Sequence, residues 1–286
     1  MRGEDVRVLG VVGSGLMGSG IVEVAARAGQ RVVYLEASDE LVESGRHRIE
    51  TSMASAVERG KLDAKASDEI HARIAGTTDP NDLADVDLVI EAATEDADTK
   101  RAVFRRLDEV VRPEVVLASN TSSIPIVDLG AATKRADRVI GMHFFNPVPV
   151  MGLIEIVKAI TTSDETVEFA REYGAALGKT TVLSRDRAGF IVNTLLIPYL
   201  NDAIRMLEEG FASREDIDAA IDLGLNHPMG PLRLADLIGL DTCAQIGDVL
   251  YEEFRDARFA PPPLLRRMVA AHHLGRKSGR GFYEYD

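Results

Sequence analysis

The chain of 286 residues is long enough to bury a large core and to form one or two domains. Its 45% hydrophobic and 28% charged residues are typical of a soluble globular protein, and its net charge of -13 disfavours nonspecific binding to nucleic acid or to an anionic membrane. The single cysteine, Cys243, excludes an intramolecular disulfide and suits a reducing compartment. Apolar stretches such as residues 191–200 are too short to cross a bilayer, and a strand begins by Val6. We therefore expect a cytoplasmic protein with neither a membrane segment nor a signal peptide.

The first motif along the chain is a glycine-rich loop. An apolar run at residues 6–12 leads into Gly13, Gly15 and Gly18, spaced as G-x-G-x-x-G, and a helical pattern follows as far as Ala28. The first glycine permits a tight turn, the second lets a pyrophosphate approach the backbone, and the third lets the helix and the strand pack closely. The helix N-terminus adds N–H groups that suit phosphate. This order of elements predicts a dinucleotide-binding unit.

The acid after the second predicted strand indicates which dinucleotide is bound. Residues 31–35 form this strand, and Glu36 follows it, 18 residues after Gly18. A carboxylate at this place can accept hydrogen bonds from the ribose hydroxyls and would repel a 2′-phosphate. Because no arginine directly follows Glu36, we predict NAD rather than NADP as the cofactor.

Residues 39–75 depart from a minimal nucleotide-binding fold. Two amphipathic helical patterns, at residues 39–58 and 63–73, predict an inserted helical hairpin. Between Arg46 and Lys65 the hairpin has five Lys or Arg residues (46, 48, 59, 61 and 65) against three acids (50, 58 and 63), in a chain that is otherwise acidic. Either these bases bind an anionic group, or they form a solvated helical face, which is the usual meaning of mixed charge.

Strands and helices alternate after the hairpin and then give way to helices alone. Strands are predicted at residues 87–92, 115–119, 139–141, 153–158 and 180–184, and helices at residues 96–110 and 164–177. Beyond residue 185 every pattern as far as Gly275 is helical; the longest helix is predicted at residues 191–209, and Ser213 is expected to cap the next one. The predicted fold class is therefore α/β, with a Rossmann-type, mostly parallel sheet in residues 1–185 and an all-α domain in residues 186–286.

Polar side chains suited to proton transfer lie around the strand predicted at residues 139–141. His143 follows that strand, Ser122 and Ser123 follow an earlier one, and Glu155 is an isolated acid in an apolar strand. An imidazole, a hydroxyl and a buried carboxylate can together move a proton at neutral pH. The alternative is a core histidine, an ordinary turn and an edge-strand glutamate. The nucleotide-binding motif upstream favours the catalytic interpretation.

Seven segments distributed along the whole chain carry a family resemblance. They are Gly13-Ser-Gly-Leu-Met-Gly-Ser-Gly-Ile21, Glu91-Ala-Ala-Thr-Glu95, Ser119-Asn-Thr-Ser-Ser-Ile124, His143-Phe-Phe-Asn-Pro-Val-Pro149, Gly189-Phe-Ile-Val-Asn193, His227-Pro-Met-Gly-Pro231 and Lys277-Ser-Gly-Arg-Gly-Phe-Tyr283. In their order and spacing the chain resembles the NAD-dependent L-3-hydroxyacyl-CoA dehydrogenases, and among them the short-chain 3-hydroxybutyryl-CoA dehydrogenases. The resemblance implies oxidation of a 3-hydroxyacyl-CoA to the 3-ketoacyl-CoA, or its reverse, by a homodimer joined through the helical domain. No metal is expected.

The resemblance also implies roles for particular residues. His143 would be the base, Glu155 would orient it, Ser122 would donate to the substrate oxygen, and Asn193 would hold the thioester carbonyl. The expected cofactor contacts are Gly13, Gly15, Leu16, Met17, Gly18, Glu36, Ala92, Glu95, Lys100, Asn120, Ser122, Asn146 and Lys277. The expected substrate contacts are Ser52, Arg59, Lys61, Ser122, His143 and Asn193, of which Ser52 and Arg59 would bind the coenzyme A moiety.

Two other functions remain open from the residues alone. A β-hydroxyacid dehydrogenase of the 6-phosphogluconate type also combines a Rossmann domain with helices, but it would need a catalytic lysine on the long helix, where this chain has Asn193. A nonenzymatic, crystallin-like NAD-binding protein could keep the fold without the activity. The intact set of Ser122, His143, Glu155 and Asn193 argues against the latter.

Overall fold

A computed structural model describes residues 1–285, which form two compact units. The first unit is Met1–Arg187, and the second begins at Ala188. Asp286, the last residue of the predicted helical domain, lies outside the described residues. The first unit is an α/β structure built on one sheet, and the described part of the second consists of helices apart from isolated bridges near its end. The predicted fold class is confirmed.

One eight-stranded sheet organises the first unit. Its strands are β1 (Val8–Val12), β2 (Arg31–Leu35), β3 (Ile74–Thr77), β4 (Leu88–Glu91), β5 (Val116–Ser119), β6 (Val139–Phe144), β7 (Leu153–Lys158) and β8 (Thr180–Arg185). Their order across the sheet is β3-β2-β1-β4-β5-β6-β7-β8, and every pair is parallel except β6 with β7. Because the order reverses beside β1, the carboxyl ends of β1 and β4 flank the crevice where sheets of this type bind ligands.

Six helices connect these strands. They are α1 (Leu16–Arg27), α2 (Asp39–Glu58), α3 (Ala64–His71), α4 (Ala97–Val110), α5 (Ile126–Ala131) and α6 (Asp164–Ala176). The central strands β4, β5 and β6 are buried along their whole length, which explains why each is a continuous apolar run rather than an alternation.

Helix α2 is fixed beside the glycine loop by its packing. Ser38 caps it by accepting a hydrogen bond from the Leu41 N–H, and a stripe of buried residues at helical spacing includes Gly45, Ile49 and Met53. A Cβ at Gly45 would lie 2.0 Å from Ser14 Oγ, so only glycine allows this approach. The helical hairpin is thus anchored at the carboxyl end of the sheet.

The structure differs from the predicted elements at three places. Strand β6 extends to Phe144, so that His143 lies within it and not after it. Strand β3 takes up Ile74 and Ala75, which were assigned to the end of the hairpin; it is a short edge strand with no apolar alternation, and such a strand leaves a weak signal. The six-residue helix α5 was also not predicted, because it is too short for a periodic pattern.

The second unit contains five helices within its described residues. They are α7 (Val192–Glu208), α8 (Arg214–Gly224), α9 (Pro231–Ile238), α10 (Leu240–Phe254) and α11 (Pro263–Ala270). Leu200, Leu232 and Leu265 from three of these helices meet in one buried cluster. Ser213 caps α8 as predicted, since its hydroxyl accepts a hydrogen bond from the Asp216 N–H at 3.1 Å.

Two kinds of feature are absent from residues 1–285. No helix there is both long enough and apolar enough to span a membrane. Nor does any group of three or more His, Cys, Asp or Glu side chains converge to hold a metal ion.

Candidate active site

The glycine loop joins β1 to α1 and leaves an open approach to the backbone. Gly13 has a φ of +89°, which favours glycine, and a Cβ at Gly18 would lie 1.9 Å from the Gly13 carbonyl oxygen. A Cβ at Gly15, by contrast, would meet nothing within 4 Å. Gly15 is also the N-cap of α1 and provides no side-chain cap, so the first N–H groups of the helix face this open space. The loop therefore offers the place where a diphosphate can approach a helix N-terminus.

Glu36 is bonded directly to this loop. It follows β2, and its Oε1 accepts hydrogen bonds from the Ser14 N–H at 2.5 Å and from the Ser14 hydroxyl at 2.7 Å. Ser14 is fully buried, whereas Glu36 is half-buried. One carboxylate oxygen thus fixes Glu36 to the glycine loop, which holds the acid where a ribose beside the diphosphate would lie.

A buried charge cluster lies at the ends of β4 and β5. Lys100 from α4 is 1% exposed, and its Nζ lies 2.6 Å from Glu91 Oε1 and 3.5 Å from Glu95 Oε2. Glu91 also accepts hydrogen bonds from the Ser119 hydroxyl at 2.6 Å and the Ala93 N–H at 2.7 Å. Lys100 is therefore a buried partner of two acids rather than an exposed cation.

Glu95 holds the turn that carries Ser122. Its Oε1 accepts from the Thr121 hydroxyl at 2.5 Å, the Ser122 N–H at 2.9 Å and the Ser123 hydroxyl at 3.0 Å. Burial of Glu95 favours its neutral form, but the Lys100 ammonium and these hydrogen bonds outweigh burial and lower the pKa of Glu95 below its ordinary value. Glu95 is therefore ionised at neutral pH and acts as an acceptor.

His143 and Glu155 face each other across the antiparallel pair β6 and β7. They are direct partners in the strand register, and His143 Nδ1 lies 2.8 Å from Glu155 Oε2. Glu155 is fully buried and His143 is 7% exposed. The structure thus confirms that these two side chains meet. The strand of His143, β6, lies next to β5, and Asn120 Oδ1 after β5 accepts a hydrogen bond from the Phe144 N–H at 2.9 Å.

The remaining expected site residues are distributed over several elements. Leu16 and Met17 begin α1, Ala92 follows β4 and donates its N–H to Val12 at 2.8 Å, and Asn146 lies in the loop after β6. Ser52, Arg59 and Lys61 belong to the hairpin, where Arg59 ends α2 and Lys61 is exposed. Asn193 and Lys277 lie in the second unit: Asn193 is buried in the first turn of α7, and Lys277 pairs with Asp241.

The chain matches a known family over nearly its whole length. The family model "3-hydroxyacyl-CoA dehydrogenase, NAD binding domain" matches residues 8–187, and the model "3-hydroxyacyl-CoA dehydrogenase, C-terminal domain" matches residues 189–285. The chain belongs to the 3-hydroxyacyl-CoA dehydrogenase family. It is therefore an NAD-dependent oxidoreductase, and the open glycine loop with Glu36 beside it fits this cofactor. The family assignment also decides against the β-hydroxyacid dehydrogenase alternative.

Relatives and solved structures of this family are similar to the chain from end to end. A 3-hydroxybutyryl-CoA dehydrogenase of Mycobacterium tuberculosis is 52% identical over 284 residues, which cover 99% of each chain. The crystal structure of Mycobacterium tuberculosis FadB2 has a TM-score of 0.96 at 52% identity, covering 98% of this chain and 99% of that one. The (S)-3-hydroxybutyryl-CoA dehydrogenase PaaH1 of Ralstonia eutropha has a TM-score of 0.93 at 46% identity, covering 99% and 100%.

Sequence reasoning missed several residues that shape this dehydrogenase site. Glu91 is an isolated acid at the end of an apolar strand, which is the same signal that singled out Glu155. Ser14 occupies a variable position of the glycine motif, and nothing in the sequence pairs it with Glu36. Lys179 was also missed; its ammonium donates to the Val148 and Met151 carbonyls at 2.8 and 2.7 Å and so holds the loop after β6.

The loop geometry predicts opposite effects for two glycine-to-alanine changes. Gly15→Ala places its methyl group in open space, so the melting temperature should stay close to wild type while the Kd for NADH rises by about tenfold or more, as the loss of a phosphate contact of about 1.4 kcal/mol would give. Gly18→Ala forces its methyl group against the Gly13 carbonyl and should lower the melting temperature. Calorimetry and NADH fluorescence titration measure both. A Gly15→Ala variant that binds NADH as wild type does would contradict this account.

Proposed function

We propose that this dehydrogenase interconverts (S)-3-hydroxybutyryl-CoA and acetoacetyl-CoA, and that Ser122, His143, Glu155 and Asn193 are its catalytic residues. The observation that carries the proposal is the buried His143–Glu155 pair, with 2.8 Å between Nδ1 and Oε2, at the sheet edge that also bears the glycine loop. The names of the relatives support the short-chain substrate. Reduction of acetoacetyl-CoA by NADH is the direct assay. Absence of turnover would favour the crystallin-like alternative.

His143 removes the C3 hydroxyl proton in the oxidative direction and returns it in the reductive one. An imidazole suits this task because its ordinary pKa is near neutral. Glu155 accepts a hydrogen bond from the Nδ1–H of His143, and the other ring nitrogen, Nε2, would take the proton in the reaction. The same carboxylate stabilises the imidazolium that results, as the acid of a catalytic triad does. The dyad therefore fixes both the tautomer and the orientation of the base.

Two further side chains would act on the oxygens of the substrate. The Ser122 hydroxyl lies in the turn held by Glu95 and would donate to the C3 oxygen as its charge develops. Asn193 would hold the thioester carbonyl, a role proposed from the resemblance. NAD, when bound, supplies the hydride acceptor, and the protein contributes alignment and charge.

The dyad makes a testable pair of variants. His143→Ala removes the proton acceptor and should lower kcat by about 10²- to 10⁴-fold with little change in the Kd for NADH. Glu155→Gln keeps the shape but withdraws the charge, so turnover should fall and the pH–rate profile should move to lower pH. Steady-state kinetics across pH with acetoacetyl-CoA measure both effects. Near-wild-type turnover in His143→Ala would eliminate this mechanism.

Cofactor choice is the second test. Glu36 is held by Ser14 and should repel a 2′-phosphate, so wild type should prefer NADH over NADPH. Glu36→Ala combined with Ala37→Arg should move the kcat/KM ratio toward NADPH. Ser19→Ala is a suitable control, since the Ser19 hydroxyl bonds to the Leu16 carbonyl within the same helix and not to Glu36. A wild-type preference for NADPH would show that Glu36 does not face the ribose.

The hairpin is proposed to bind the phosphates of coenzyme A. Ser52 lies on α2, and Arg59, seven residues later, is the C-cap of that helix, so the two are about two turns apart. Arg59 is exposed and donates its Nε–H to the Ser55 carbonyl at 2.9 Å, and Lys61 is exposed beyond the end of the helix. This orders Arg59 while leaving the rest of its guanidinium for an anion. The alternative, that these charges form a solvated face, makes a different prediction.

The test of the hairpin compares two substrates. Exposed ion pairs are worth about 0–1 kcal/mol each, so a single change should raise KM by no more than roughly fivefold. Arg59→Glu with Lys61→Glu adds repulsion and should raise the KM for acetoacetyl-CoA further, most at low salt, and leave kcat nearly unchanged. Acetoacetyl-N-acetylcysteamine, which has no phosphates, should be unaffected.

A control variant separates local from global charge in this test. Arg105→Glu with Arg106→Glu makes the same change in net charge on exposed positions of α4, outside the hairpin. It should leave both KM values at wild type. If the hairpin variant impairs both substrates alike, the hairpin is a structural element and its charges are a solvated face.

We also propose a homodimer and a cytoplasmic location. The second unit exposes large apolar side chains, among them Leu195 at 70%, Phe211 at 74% and Leu223 at 86%, and an exposed group of this kind suits a subunit interface. The only cysteine, Cys243, is buried, and burial raises the pKa of its thiol to about 12. A lone, buried cysteine that can form no intramolecular disulfide is compatible with a reducing compartment.

A further inference from the structure

A buried ion pair at the ends of β4 and α4 has no part in the mechanism above. Glu91 is fully buried, Lys100 is 1% exposed, and 2.6 Å separates Glu91 Oε1 from Lys100 Nζ. A second carboxylate, that of Glu95, lies 3.5 Å from the same ammonium. One base is thus shared by two acids, of which only Glu95 is bonded to the turn that carries Ser122.

Stability alone is a poor explanation for such a cluster. Taking charges out of water costs several kcal/mol per ion, and replacing a buried pair by apolar side chains of similar volume is often neutral or stabilising. The pair instead fixes orientation. Each charged group is held by short hydrogen bonds of fixed geometry, which constrain the positions of the groups bonded to it. The role of these bonds is therefore to fix the position of a neighbouring group.

The hydrogen bonds lead from Glu91 to Ser122 by two routes. In the first, the Ser119 hydroxyl donates to Glu91 Oε2 at 2.6 Å and accepts from the Thr121 N–H at 3.2 Å. In the second, Glu91 holds Lys100, which contacts Glu95, and Glu95 accepts from the Ser122 N–H at 2.9 Å. Through Ser119, Glu91 thus fixes Thr121 at the start of the turn. Through Lys100 it also fixes Glu95, the acid that holds Ser122 in the middle of the turn.

We propose that Glu91 is a positioning residue for the reaction: it holds the Ser119–Lys100–Glu95 network that places the Ser122 hydroxyl relative to His143. This inference rests on the proposed role of Ser122. Glu91 itself touches neither substrate nor cofactor in this account. Its effect is confined to the turn, so substrate binding through the coenzyme A moiety is independent of it.

The test compares Glu91→Gln with a matched variant, Asp108→Asn. Gln keeps the size of Glu91 but lacks the charge that holds Lys100. Asp108 forms another buried pair in the same unit, with 2.7 Å from its Oδ1 to Arg135 Nε, and none of its recorded hydrogen bonds reaches the Ser122 turn. Both variants remove one charge from a buried pair, so both should lower the melting temperature. Only Glu91→Gln should alter catalysis.

The expected readouts separate positioning from general destabilisation. Glu91→Gln should lower kcat by about 10- to 100-fold, the cost of misplacing a reacting group by up to 1 Å, while the KM for acetoacetyl-CoA stays within about twofold. Hydrogen–deuterium exchange at the amides of Thr121 and Ser122 should become faster in Glu91→Gln and stay unchanged in Asp108→Asn. Lys100→Met should lower kcat as well, and combining it with Glu91→Gln should give much less than the sum of the two effects, since both act through one network.

Ser122→Ala distinguishes failure of this inference from failure of the proposed function. If Ser122→Ala lowers kcat and Glu91→Gln does not, Glu91 is structural and the inference is overturned. If Ser122→Ala leaves kcat at wild type, the role of Ser122 itself is wrong. Should Glu91→Gln not fold, Ser119→Ala removes only the hydroxyl between Glu91 and Thr121; a fall in kcat with faster exchange supports the inference, and wild-type values for both overturn it. Equal loss of kcat in Asp108→Asn and Glu91→Gln also overturns it.

Discussion

The cost of burying an ionised carboxylate governs how this site is arranged. Such a group must be paired or hydrogen-bonded, since otherwise its transfer from water costs several kcal/mol. Two fully buried acids lie at or near the carboxyl edge of the sheet: Glu91 binds the Lys100 network and Glu155 the imidazole of His143. Glu36, which is half-buried, binds the glycine loop at the same edge. Each acid restricts its donor to one geometry. The parts of the site that need the most exact placement are therefore the ones that are bonded to these acids.

The same edge explains why the chain could be interpreted in outline before its structure was known. Parallel central strands are apolar runs, and the loops that follow them carry polar residues, so the glycine loop, Glu36 and the turn after β5 could each be placed directly after a predicted strand. The pairing of His143 with Glu155 was expected from residue types and a family resemblance, and the strand register confirms that the two meet. Strongly periodic elements and the ends of strands can thus be predicted from a sequence.

What the sequence did not reveal was partner choice among buried polar groups. Lys100 was expected near the cofactor, and its burial against Glu91 depends on the approach of α4 to β4, which no local pattern encodes. The contact of Ser14 with Glu36 was not predicted either: it follows from the pairing of β1 with β2, and the Ser14 hydroxyl lies where a side chain at Gly45 of α2 would clash. Such contacts join residues far apart in the chain. They follow from tertiary packing, which propensity and spacing do not determine.

The reversal of direction between β6 and β7 brings His143 and Glu155 together. In an antiparallel pair, directly opposed residues project from the same face, and a slip of one residue would turn Glu155 to the other face. The register depends on the loop at residues 145–152, where Lys179 donates to the Val148 and Met151 carbonyls. Burial lowers the pKa of Lys179, but two carbonyl acceptors satisfy its ammonium at this place. The loop that carries Asn146 therefore joins the two strands whose register places His143 opposite Glu155.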